Sequence, residues 1–91
     1  MKSLKDSKAL LGERLKNVRM ARGFQMSEIE AQYPISRQTI ARLEKGEGTL
    51  NSLVIYMHSL DVTEAFFEGF FKFYKSPEQM RQVLKDYKKS K

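Results

Sequence analysis

Apolar residues recur at helical spacing along almost the whole chain. Leu11, Leu15 and Val18 fall at i, i+4 and i+7 and predict a helix over Lys8 to Arg22. Ser7 stands where its N-cap belongs, and Gly23 stands where a C′ glycine ends it. Gly12 would then lie in the first turn. Met26, Ile29 and Tyr33 share one face of a short second helix, Met26 to about Tyr33, which Pro34 terminates. Ser36 is the N-cap of a third helix, Arg37 to Lys45, with Ile40 and Leu43 facing inward and Gly46 as its stop.

Asn51 or Thr49 caps a fourth helix running to Leu60, with Leu53, Tyr56, Met57 and Leu60 on its stripe and Val54 and Ile55 off it. Thr63 is expected to cap a fifth helix, Glu64 to about Phe73. Ser76-Pro77-Glu78-Gln79 is a capping box with proline at N1, and Met80, Val83, Leu84 and Tyr87 give the sixth helix an apolar stripe. The pattern holds no strand alternation and no internal repeat. The expected fold class is all-α.

Composition narrows the function classes. Ninety-one residues make one small domain, and the absence of cysteine excludes disulfides, thiol catalysis and thiolate zinc sites. A single histidine, His58, cannot build a histidine metal site and has no visible base-orienting partner; it reads as a surface or interface residue. Glu28 with Glu30, and Glu64 with Glu68, read as solvated helix faces. Gly46-x-Gly48 follows no strand and is no phosphate cradle. Neither an enzyme nor a cofactor or metal is expected. No apolar run reaches the ~20 residues of a membrane span. Met1 to Asp6 starts basic with no apolar core behind it, so we expect no signal peptide and a cytoplasmic protein.

The net charge is +6, unevenly spread. Residues 1–24 carry seven basic and two acidic side chains, residues 25–71 three and seven, and residues 72–91 seven and two. A basic protein suits an anionic partner, nucleic acid first, although basic ends also fit solvated tails. With an acidic middle, any nucleic-acid face has to be built locally.

The stretch Leu15 to Phe24, then Glu28-Ile29, then Ile35-Ser36-Arg37-Gln38-Thr39-Ile40-Ala41-Arg42-Leu43-Glu44-Lys45-Gly46, then Ser52-Leu53 and Leu60 to Thr63, carries a specific pattern. It resembles the XRE family of bacterial and phage helix-turn-helix regulators, of the lambda and 434 repressor and Cro type, over roughly residues 10–70. The spacing from Leu53 and Val62 to the phenylalanines is most similar to restriction–modification controller proteins. The resemblance implies a five-helix lambda-repressor-like domain in residues 1–75, with its helix-turn-helix at about 25–45, and an added C-terminal helix and basic tail in 76–91.

It also implies double-stranded DNA as partner and a bacterial or phage origin. Arg37, Gln38 and Arg42 sit at and one turn beyond the start of the third helix, where side chains enter the major groove. Arginine reads guanine O6/N7 and glutamine reads adenine N6/N7. Spacing alone also fits a solvated face; the resemblance assigns these three to bases. Ser36 leaves free N–H groups at a helix N-terminus, which favours phosphate. Lys45 matches a position that meets phosphate, Ser36 and Thr39 stand at the same helix start, Thr39 toward backbone or base, and the backbone contact that Met26 cannot make is lost or moves to Gln25 or Ser27. The matching positions for Arg19 and Glu44 form a structural ion pair.

Four departures stand out: Met26 where an amide usually meets phosphate, Glu30 where a small residue usually packs, Pro34 where the turn usually has glycine, and no proline after Gly46. A reshaped turn, with a one-residue shift in the second helix, is expected. Phe66, Phe67, Phe70, Phe71, Phe73 and Tyr74 wrap nearly round the fifth helix, more rings than one small core can hide. Its polar face is too narrow for a membrane-surface helix. A homodimer using Val54, Ile55, Phe67, Phe70 and Phe71 is expected, presenting two reading helices ~34 Å apart; coverage by the sixth helix is the alternative. The expected function is a sequence-specific transcriptional regulator, a repressor or autoregulator, on an inverted repeat. The rival is a DNA-binding antitoxin or interaction module that grips a small protein partner.

Overall fold

The structure is a computed structural model and describes residues 3–66, 68–69 and 76–89. It is all-α, with no strand among the described residues. The helices are α1 (Leu4–Ala21), α2 (Met26–Gln32), α3 (Arg37–Leu43), α4 (Leu50–Ser59), α5 (Thr63–Phe66) and α6 (Pro77–Lys89). No described helix is long and apolar enough to cross a membrane.

Helix α1 starts a full turn earlier than its apolar stripe predicts. Ser3, not Ser7, is the N-cap, its Oγ accepting the Asp6 N–H at 3.1 Å. Gly12 is therefore mid-helix. Leu11, expected on the inward stripe, is 41% exposed, and Gly12 is buried in its stead. A Cβ on Gly12 would stand 2.6 Å from the carbonyl oxygens of Leu43 and Glu44. The backbone of α1 thus lies directly on the end of α3, an approach that only glycine permits.

The helix ends follow local chemistry. At the end of α1, Gly23 adopts φ +73° and donates to the Met20 carbonyl at 3.0 Å, while Phe24 donates to Arg19 at 3.1 Å, the paired bonds of a Schellman closure. Beyond α3, Gly46 (φ +89°) donates to Leu43 at 2.9 Å and Glu47 to Arg42 at 2.9 Å, the same closure again. At α4 the cap is Thr49, its Oγ1 accepting the Ser52 N–H at 3.1 Å. Thr63 does not cap α5 as expected: it is the first helical residue, and its buried hydroxyl has no hydrogen-bond partner. Ser76 Oγ accepts the Gln79 N–H at 3.2 Å at the start of α6.

The core gathers Leu15, Ile29, Ile35, Ile40, Leu43, Tyr56, Met57 and Leu60. Ile40, Tyr56 and Leu60 are completely enclosed. Ile55, expected off the α4 stripe, is half-buried against this core. Met80 and Leu84 of α6 are exposed, as is Phe66. Phe67, Phe70, Phe71, Phe73 and Tyr74 lie outside the described residues.

Candidate nucleic-acid interface

The turn between α2 and α3 is short and tight. Helix α2 ends at Gln32, one residue before its predicted limit, because Tyr33 is extended at φ −130° and ψ 153° ahead of Pro34. The Ile35 N–H donates to the Tyr33 carbonyl at 2.7 Å, a three-residue turn with Pro34 at its centre. Ile35 is buried, so the turn is pinned to the core from within. Ser36 Oγ accepts the Thr39 N–H at 3.1 Å and starts α3.

Helix α3 is anchored on one face and open on the other. Ile40 and Leu43 point into the core. Arg37, Gln38 and Arg42 are exposed, with Gln38 and Arg42 one turn apart on the same side. Lys45 is exposed in the turn that follows. Thr39 is half-buried, and its hydroxyl shares a 2.9 Å hydrogen bond with Ser36 Oγ.

The far end of α3 is fastened by charge. Arg19 Nε meets Glu44 Oε2 at 2.7 Å, and Nη2 meets Oε1 at 3.2 Å, a two-pronged pair with the carboxylate only 5% exposed. Arg19 Nη1 also donates to the Phe24 carbonyl at 3.0 Å. The Tyr56 hydroxyl donates to Glu44 Oε2. Sequence reasoning missed this third member, since only the packing of α4 brings it there. The hydrogen bond that Arg19 donates to Glu44 raises the Arg19 pKa further. Burial, then the hydrogen bond with Glu44, pushes the Tyr56 phenol well above its ordinary value. All three groups serve to hold α1, α3 and α4 together.

Glu30, expected on a solvated helix face, is instead engaged with the start of α3. Its Oε2 accepts the Arg37 backbone N–H at 2.9 Å, and its Oε1 pairs with Arg37 Nε at 3.1 Å. A carboxylate therefore occupies the α3 N-terminus that the sequence offers to phosphate. It also holds the guanidinium of Arg37, whose side chain is 62% exposed. Gln25 is the N-cap of α2, its N–H donating to Glu28 Oε1 at 2.8 Å, and Ser27 is exposed in the first turn.

Two depressions border this face. One is lined by Thr39, Arg42, Gly48, Thr49 and Ser52, where the capped start of α4 comes beside α3. The other runs between the start of α1 and the loop after α3, lined by Lys5, Lys8, Arg42, Lys45 and Glu47 among others. No group of His, Cys, Asp and Glu able to hold a metal occurs among the described residues. The arrangement offers hydrogen-bond forks and cations to an anionic, edge-bearing ligand. Comparison with family models and with curated proteins finds no match for the chain.

Proposed function

We propose that the protein is a sequence-specific DNA-binding transcriptional regulator of the XRE helix-turn-helix type, acting as a homodimer on an inverted-repeat operator. The observation that carries this reading is helix α3. It is fixed to the core by Ile40 and Leu43, braced at its end by Arg19–Glu44–Tyr56, and turns Arg37, Gln38 and Arg42 outward. Three exposed side chains that read base edges, on a helix that cannot roll, suit the major groove. Lys45, Thr49 and Ser52 flank that face where phosphates of a docked duplex would pass. The exposed apolar residues Leu50 and Val54, one turn apart on α4, supply a face for a second copy.

Selection of bound duplexes from a random pool tests the reading. The wild type should enrich an inverted repeat. Arg37→Ala and Arg42→Ala should each cost about 1–3 kcal/mol per half-site and relax preference at one guanine, and Gln38→Ala should do so at an adenine. Lys45→Ala should weaken all sequences alike and lower the salt slope by roughly one unit per subunit. If the three α3 variants keep wild-type base preference and lose only overall affinity, α3 is not the reader. The antitoxin alternative then leads.

A further inference from the structure

We propose that the first two turns of α1 form a second wall of the DNA-backbone track, with Lys5 and Lys8 adding phosphate contacts to that of Lys45, beside the base-reading Arg42. The inference rests on the DNA-binding reading and extends it to a part of the molecule outside the helix-turn-helix.

The face of α1 that meets α3 carries Arg19, Leu15 and Gly12 in succession, at the i, i+3 and i+4 steps of one helical stripe. Continuing the same stripe toward the N-terminus brings Lys8 and then Lys5. The stripe thus changes from an ion-paired arginine, a core leucine and a contact glycine to two lysines. The change comes where α1 overhangs the loop after α3. Two glycines set that overhang. Gly12 lets the α1 backbone lie on the Leu43 and Glu44 carbonyls, and a Cβ on Gly46 would stand 2.6 Å from the Lys8 carbonyl. Lys8 is therefore seated against the residue that follows Lys45.

The resulting groove brings Lys5, Lys8, Arg42 and Lys45 together, with Glu47 the one acidic side chain on its lining. None of these four cations takes part in an ion pair among the described residues. Like charges held across a groove repel, and an apolar or neutral occupant would leave that repulsion in place. An anion resolves it. Arg42 belongs both to this groove and to the outward face of α3. The anion in question is therefore continuous with whatever α3 reads, which fits the phosphates flanking a read base better than a separate acidic partner.

The test compares the full-length wild type with Lys5→Ala/Lys8→Ala and Lys5→Arg/Lys8→Arg. Each is titrated between 50 and 200 mM salt against a duplex selected by the wild type and a scrambled duplex of equal length. Each phosphate contact contributes about 0.9 to the slope of log affinity against log salt. The alanine pair should lower that slope by roughly two units per protomer on both duplexes, so that over this salt range the wild type loses about tenfold more affinity per protomer than the variant. Base preference and thermal melting should stay as in the wild type, and the arginine pair should keep the wild-type slope. An unchanged slope in the alanine pair overturns the proposal while leaving the α3 reading intact, and gives the groove to an acidic protein instead. A changed base preference overturns it too, because backbone contacts carry no sequence information. If the wild type binds neither duplex, the DNA-binding reading and this inference fall together.

Discussion

Glu30 and Arg37 set a competition at single-residue scale. Under the proposed function, a guanine edge has to replace the Glu30 carboxylate as acceptor for Arg37, and that carboxylate also stands where phosphate would approach. Glu30→Ala should therefore tighten DNA binding several-fold while lowering thermal stability modestly, since the exposed pair is worth only about 0.2–1 kcal/mol. Parallel binding and melting measurements check this; weaker binding with unchanged melting would show that Glu30 positions Arg37 for DNA instead. Tyr56 gives a pH dependence. Its phenol is held protonated above its ordinary pKa of about 10, so its contribution is fully present below pH 10. As pH rises past that point the unfolded chain releases the proton first, and stability falls. Tyr56→Phe should be less stable at neutral pH but show a flatter loss above pH 10 in alkaline melting curves. The Arg19–Glu44 pairing was legible through the family resemblance. Tyr56 and Glu30 were not, because both reach their partners only after α4 and the Pro34 turn have folded.

Helix α1 shows where periodicity succeeds and fails at the scale of an element. The stripe through Leu15 and Val18 indicated the helix correctly, but Leu11 is solvent-exposed and Gly12 makes the contact. A hydrophobic count cannot see an interface made of backbone against backbone. Nor could it find the start at Ser3, since Leu4 to Ala9 are helical without being buried; the local signal there is Asp6 three residues after Ser3, which Ser7 lacks. The caps of α3 and α6, set by Ser36 and Ser76, were legible because their signals are local. Gly12→Ala tests the contact. Helix propensity alone favours alanine by about 0.5–1 kcal/mol. The 2.6 Å approach to two carbonyl oxygens should reverse that sign and leave the variant about 1–3 kcal/mol less stable by chemical denaturation. Stabilisation would show that α1 and α3 do not touch in solution.

For the whole molecule, the expected dimer surface is only partly visible. Val54 is exposed, Ile55 is already engaged with the core, and Phe67, Phe70 and Phe71 lie outside the described residues. Leu50, which the sequence pattern did not single out, is more exposed than Val54 and adjoins an apolar hollow shared with Leu11, Leu15, Leu43 and Leu53. Val54→Glu should leave the protomer folded and shift sedimentation at tens of micromolar protein from dimer to monomer mass. A wild type that sediments as a monomer there would rule out the dimer reading. The turn at Pro34 bears on this larger scale as well. With Ile35 buried and the Arg19–Glu44–Tyr56 brace at the other end, α3 is held to the core at both ends. Under the proposed function, a protomer then cannot adjust its reader to a half-site that is out of phase. The deformation falls on the duplex, so central base pairs that no side chain touches would set affinity through how readily they bend or twist.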